Sequence, residues 1–252
     1  MELQPRRNPL VPHQGERVLL CGQTGSGKTG LACWLLRRIE QSPVIIYDTK
    51  IDEKFRALPF STVVESWNEL LEAVERAEHD YIIMRPHVNV VSDPELLDKH
   101  LLYHYNHLHG TVVYIDEVTQ FHQNGRIGPG FLSVLTRGRS RGITTIMSTQ
   151  RPSWISRSCL TEAQRFFILR LKDKRDSKVF DAVIEDFSHA PKAPKHWFYY
   201  ENDGEENLRL FRPIKLDEGI DKGYIDAPSD GTEANPDPST VKPHRLANAH
   251  WI

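Results

Sequence analysis

Cysteine is scarce in this chain of 252 residues: Cys21, Cys33 and Cys159 are odd in number, far apart and set among apolar neighbours. That argues against a disulfide framework and a zinc site, and it fits thiols kept reduced in a core. Long apolar runs are missing too. No stretch approaches the roughly 20 residues that a membrane-spanning helix needs. The segment Met1–Pro12 carries Arg6 and Arg7 but no apolar core of a secretory signal. Net charge is almost absent at −2, so no global basic character points to nucleic acid. No internal repeat is found. These absences predict a soluble, cytoplasmic protein, long enough for one large domain or two small ones.

The even charge balance hides an uneven distribution. From Arg126 to Lys178 twelve arginines and lysines face only Glu162, Asp173 and Asp176, a local charge of +9, and an acidic stretch from Asp217 to Asp237 offsets much of it. Apolar and β-branched runs recur at Val18–Cys21, Val44–Tyr47, Thr62–Val64, Tyr81–Met84, Thr111–Ile115, Ile143–Ser148 and Phe166–Leu171. Helical patterns run through Leu31-Leu35-Leu36-Ile39, Trp67-Leu70-Leu71-Val74 and Leu96-Leu97-Leu101-Leu102-Tyr105-Leu108, the last opened by Ser92-Asp93-Pro94-Glu95. This alternation predicts an α/β fold, a mostly parallel sheet with helices on both faces. A polar helix is expected over Lys174–Glu185. His196–Glu201 and Asn207–Phe211, around Asn202-Asp203-Gly204, predict a C-terminal β-hairpin. The expected division is an extension over 1–14, one domain over 15–215 and a disordered tail over 216–252 whose end, Trp251-Ile252, docks on something.

Chemistry enters after the first strand. Gly22-Gln23-Thr24-Gly25-Ser26-Gly27-Lys28-Thr29, with Gly30 behind them, matches G-x-x-x-x-G-K-[ST] in full. Glycines let backbone N–H groups converge on anionic oxygens, and the helix that follows adds its positive end. Lys28 is expected at the β- and γ-phosphates of ATP and the Thr29 hydroxyl on Mg²⁺. Val112-Val113-Tyr114-Ile115-Asp116-Glu117 is an apolar strand ending in two acids, at the edge where ligands meet open α/β sheets. Asp116 would serve the Mg²⁺ shell, and Glu117 would polarise the attacking water. Gln150, at the end of the strand from Ile143, would sit beside the strand of Asp116, within reach of the γ-phosphate or that water.

These motifs, with Ile46-Tyr47-Asp48-Thr49-Lys50 and Gly138-Arg139-Ser140-Arg141-Gly142-Ile143 leading to Ser148-Thr149-Gln150-Arg151-Pro152, resemble the FtsK–HerA superfamily of ring-forming, DNA-pumping ATPases. The resemblance covers about residues 15–215. It implies a P-loop NTPase fold of the RecA/ASCE type, a homo-oligomeric ring, by analogy a hexamer, and DNA, double-stranded, as cargo. It also implies that an arginine at the position of Arg139 reaches the ATP of a neighbour, with Arg137 and Arg141 as substitutes. Only about 20 residues precede the phosphate loop, so neither the membrane spans and DNA-reading domain of the FtsK type nor the N-terminal barrel of the HerA type is expected. What remains is similar to the compact genome-packaging ATPases of membrane-containing viruses, which implies a capsid or vertex partner and work in the host cytoplasm or on the virion.

Other readings stand beside this one: a motor of DNA processing or conjugation, a nucleotide switch or assembly factor that pumps nothing, and a small-molecule kinase. No Asn-Lys-x-Asp motif supports a GTPase, and no Leu-Ser-Gly-Gly-Gln signature supports a transporter ATPase. The glycines in Phe121–Gly130 suggest a loop that changes shape, where Arg126 touches DNA phosphates or simply faces water. Arg151, Arg157 and Lys172–Lys178 are either DNA or intersubunit contacts or a solvated face. His100, His104 and His107 share one helical face with zinc-like spacing, but with no cysteine or acid to complete a set they read as exposed polar residues.

Overall fold

The computed structural model describes residues 8–123, 125–202, 208–214 and 250–251. Seven strands form a parallel core in the order β9 (Arg165–Leu169), β1 (Arg17–Cys21), β8 (Thr144–Thr149), β5 (Val112–Ile115), β2 (Val44–Tyr47), β4 (Tyr81–Met84) and β3 (Ser61–Val64). Strand β10 (Phe198–Asn202) pairs antiparallel with β9, and β11 (Arg209–Phe211) with β10, which makes the expected C-terminal hairpin. Its connecting residues 203–207 lie outside the described set. Beyond it, β12 (His250–Trp251) adds a parallel pair to β11. The rest of the expected tail over 216–252 falls outside the described residues.

Strands β2, β4 and β5 are apolar throughout because both of their faces are covered. Leu19, Cys21, Ile45, Tyr47, Val113, Ile115 and Met147 point into one core, and Val18, Leu20, Val44, Ile46, Val112, Tyr114 and Ile146 into the other. The second core is closed by α1 (Lys28–Leu36) and by Phe55 of α2 (Glu53–Arg56). The first is closed by α3 (Trp67–Arg76), the short α4 (Val88–Val91), α5 (Pro94–His107), α6 (Pro129–Arg137) and α7 (Arg157–Thr161). Local chemistry starts these helices. Ser66 accepts from Glu69 N–H while the Glu69 carboxylate accepts from Ser66 Oγ and Glu65 N–H, and Asp93 accepts from Glu95 and Leu96 N–H.

Two expectations are corrected. The helix expected over 174–185 ends early: α8 spans Lys174–Lys178, and the chain tightens into a 3₁₀ turn at Val179–Ala182. Phe180 must turn into the core there, edge-on to Phe166 and Phe187. Nor are the three histidines of α5 all exposed. His104 is fully buried with Nε2 2.7 Å from Thr111 Oγ1, His100 lies against the Trp67 ring, and His107 stacks on Tyr103. The N-terminal segment packs down as well. Leu10 and Val11 are buried, and the Pro9 carbonyl accepts from Arg165 Nη1 and Tyr200 Oη.

Candidate active site

The carboxyl ends of β1, β8, β5 and β2 meet in one place. Between β1 and α1 the chain makes a tight loop whose geometry depends on glycine at two kinds of position. A Cβ on Gly22 would lie 2.7 Å from Ser26 Oγ and 2.8 Å from Leu169 Cβ, so the close approach requires its absence. Gly25 and Gly27 adopt φ of 74° and 105°, left-handed values that turn successive N–H groups the same way. Gly27 caps α1 with no side-chain hydrogen bond, and no acid occupies the first turn, so that helix end is left for an anion.

Lys28 is buried with Nζ donating to Gly22 O at 2.9 Å, which folds the side chain over the loop with two donor hydrogens to spare. Burial first, and then the charge of Lys50, hold its pKa below the usual lysine value. Ser26 Oγ is buried without a partner. An orphaned hydroxyl inside a cradle of inward-turned amides suits phosphate oxygens. Gln23 N–H and Gly22 N–H tie the loop to Arg170 O and Thr149 O, Thr29 and Gly30 occupy the first turn of α1, and Thr24 reaches outward.

Strand β8 lies between β1 and β5, with Cys21 opposite Thr149 and Ile115 opposite Met147. That order sets Gln150 between the phosphate loop and the acids. Its Oε1 accepts from Thr24 Oγ1 at 2.6 Å. Asp116 and Glu117 are both buried. Burial raises the pKa of Asp116 by more than the Lys50 charge lowers it, and Tyr114 Oη donates to its Oδ1 at 3.2 Å. Glu117 Oε1 accepts from Thr149 Oγ1 (2.8 Å) and Thr119 Oγ1 (3.0 Å), and its Oε2 accepts from Lys50 Nζ (2.7 Å). Lys50, in sequence only the end of a strand motif, thus belongs to the site. The signal that singles it out is a charged residue just past the carboxyl end of a buried strand. His196 is a second addition, with Nδ1 3.2 Å from Ser26 O.

Arg139 is not brought to this cluster. It lies exposed in a 3₁₀ turn (Gly138–Arg141) against Gly15, before β1, and that turn feeds the start of β8. A six-residue strand spans roughly 17 Å, beyond the reach of a side chain. Arg137 is exposed too, whereas Arg141 is tied to Asn106 O, His109 and the Tyr105 ring. The basic block is also partly spent inside the fold: Arg165 pairs with Glu16, and Arg151 with Asp173 and buried Asp176.

The glycine-rich segment after Glu117 differs from expectation. It forms a small hairpin, β6 (His122–Gln123) and β7 (Arg126–Ile127), and only Gly125 in its turn has open space around it. A Cβ on Gly128 or Gly130 would collide with Asp98 of α5, whose carboxylate accepts from Gly130 and Phe131 N–H and so caps α6. Those two glycines serve helix packing. Arg126 is exposed on the hairpin.

Fold and site together define a P-loop NTPase fold of the type in which an extra strand separates the phosphate-loop strand from the acidic one. The resemblance to compact genome-packaging ATPases read from the motifs holds up against known proteins. The chain is 25% identical over 229 residues to the DNA packaging ATPase P9 of Enterobacteria phage PRD1, covering 83% of this chain and 92% of that one. It superposes on the genome packaging NTPase B204 of Sulfolobus turreted icosahedral virus 2, solved with ATP-γS, with a TM-score of 0.64 at 18% identity, over 80% of this chain and 98% of that one. The cytoplasmic domain of the Thermomonospora curvata type VII secretion ATPase EccC shares the fold at a TM-score of 0.53 and 19% identity, over 91% of this chain and 30% of that one. No family model matches the chain.

Proposed function

We propose that this chain is an ATP-hydrolysing motor that packages a viral genome, working as a ring of identical subunits on double-stranded DNA. The observation that carries the reading is the end of β8. It interleaves Thr149 and Gln150 between the phosphate loop and Asp116–Glu117, while its start is fed by the turn that holds Arg139 outward. Likeness to the PRD1 packaging ATPase over nearly its whole length supports genome packaging as the task. The fold alone does not select the cargo, because a secretion ATPase shares it.

In this reading Gly22, Gln23, Thr24, Gly25, Ser26, Gly27 and Gly30 frame the phosphates, and Lys28 offsets charge on the β- and γ-groups. Glu117 takes a proton from water as the water oxygen bonds to the γ-phosphorus and the bond to the β–γ bridging oxygen breaks. Thr29 and Asp116 would hold Mg²⁺, which supplies charge neutralisation on the phosphates. Gln150 links this event to the loop through Thr24. Arg139 completes the site of the adjoining subunit. The exposed cations, Arg126 on the hairpin among them, contact DNA phosphates without reading sequence. Residues 15–215 form the motor, with a capsid or vertex protein as its docking partner.

The test is ATP turnover against protein concentration, with and without double-stranded DNA. The expected result is turnover per subunit that rises steeply with concentration and rises again with DNA. Turnover independent of concentration and indifferent to DNA would favour a nucleotide switch instead.

A further inference from the structure

Both carboxylate oxygens of Glu117 are engaged in this structure. As an ionised carboxylate it offers about four lone-pair sites. Both on Oε1 are taken by Thr149 and Thr119, and Oε2 holds the ammonium of Lys50 at 2.7 Å. A general base needs an open lone pair aimed at water. The two threonine hydroxyls sit on fixed strands and turns, so the contact that can be released is the one with Lys50. Its side chain is about one-third exposed (32%), against 10% for Glu117, and its charge acts on Lys28 across the phosphate loop.

The backbone that carries Lys50 is unusual in its own right. Ile51 has φ of 59°, a left-handed value that a β-branched residue adopts only under strain, and it is 62% exposed. The turn is held from below. Asp48 Oδ1 accepts from Asp52 N–H, and buried Arg85 bonds to Asp48 Oδ2, Asp52 O and Glu53. A rigid base therefore supports a strained, open turn whose one committed side chain is clamped on the acid.

We propose that Lys50 is a latch on Glu117 that responds to the γ-phosphate. With the phosphate loop empty or holding a diphosphate, Lys50 occupies Glu117 Oε2. A γ-phosphate carries more negative charge than a carboxylate and competes for the same ammonium. When it arrives, Lys50 transfers to it, and Glu117 Oε2 is freed for water. The base is thereby kept from water until the γ-phosphate is in place. Lys50 is a positioning residue for Glu117 and a reader of the third phosphate. This inference rests on Glu117 being the base of the proposed hydrolysis.

The test is calorimetric titration of the full chain, with Mg²⁺, using ADP and a non-hydrolysable ATP analogue. Lys50→Met is expected to weaken the analogue about tenfold and leave ADP within twofold, which also reports an intact fold. Glu117→Gln is expected to tighten the analogue several-fold without affecting ADP, because a neutral amide holds the ammonium less tightly than a carboxylate and leaves it only Asp116 Oδ2, at 4.0 Å, as an ionic partner. That gain should vanish in the double variant, and Lys50→Arg should keep most of the preference for the triphosphate. Equal effects of Lys50→Met on both nucleotides, no effect on either, or a Glu117→Gln gain that survives in the double variant would each overturn the latch. Turnover of Glu117→Gln separately tests the base: normal hydrolysis there rejects the base while leaving the binding cycle to judge Lys50.

Discussion

The two ends of the central strands are built in opposite ways. At the carboxyl ends, Lys28, Asp48, Lys50, Asp116, Glu117 and Gln150 crowd together, and Ser26 Oγ and Thr49 Oγ1 are buried without partners. At the amino ends, most polar groups are matched inside the chain, Thr145 Oγ1 and His104 Nδ1 apart. The Gln41 amide donates to the carbonyls of Gly110 and Gly142 and accepts from Thr144 Oγ1, and Gly15 N–H donates to the same hydroxyl. Glu16 pairs with Arg165, which also reaches Pro9 O and Tyr200. One end is incomplete without a ligand. The other is a stiff platform, and what it presents outward is Arg139. In the proposed motor, a second copy brings the two ends together.

The largest effect follows from that separation. Arg139→Ala should reduce turnover of the assembled protein by roughly 10³–10⁵ while leaving nucleotide binding unchanged. Mixing it with Glu117→Gln sharpens the point. Both variants are expected to be inactive alone, whereas in a mixed ring an intact Glu117 from one should meet an intact Arg139 from the other. Turnover should partly recover on mixing, measured as phosphate release. No recovery would mean that the two ends do not meet across subunits.

Acid should weaken the platform by a smaller amount. His104 is buried beneath the start of β5, bonded to Thr111, and burial lowers its pKa to about 3. The unfolded chain binds a proton there below about pH 6.5, whereas the folded chain does not until about pH 3. Stability is therefore complete above pH 6.5 and lost as pH falls through that window. The slope is about 1.4 kcal/mol per pH unit, or roughly 2 kcal/mol by pH 5. Thermal midpoints at pH 7 and pH 5 for the native chain and for His104→Gln should differ by this term. Equal slopes would show that the ring takes up its proton in place.

The parts of this architecture that were legible in the sequence share a property: their residues lie close together in the chain. The phosphate loop declares itself by eight consecutive positions, and Asp116–Glu117 by an apolar strand that ends in acids. Alternation of strands and helices gave the parallel sheet, because strands buried on both faces cannot hide their composition. What stayed hidden depends on distant partners. Lys50 meets Glu117 across 67 positions, and Arg85 meets Asp48 across 37. Gly128 and Gly130 look like a flexible loop until Asp98 of α5 is set against them. His104 looks exposed when grouped with His100 and His107, yet Leu101 and Leu108, three before and four after it, place it on the apolar stripe of α5.

The smallest effect tests whether the platform is independent of the site. Gln41 is half-buried, so replacing it by Leu leaves the carbonyls of Gly110 and Gly142 partly open to water, and the loss should be about 1 kcal/mol, the low end for an unmade hydrogen bond. The midpoint of urea denaturation would report it. Gly110 N–H donates to Arg141 O and Gly142 N–H to Arg139 O, so the arginine turn is held by the same few atoms. Loosening it should lower assembled turnover a few-fold, far less than deleting Arg139, because the guanidinium is still there but held in a broader range of positions. Binding of ADP to the isolated subunit should not change, since no atom of the phosphate loop touches Gln41. If ADP binding weakened in step with stability, the two ends would be one cooperative unit, and the division of labour between them would fail.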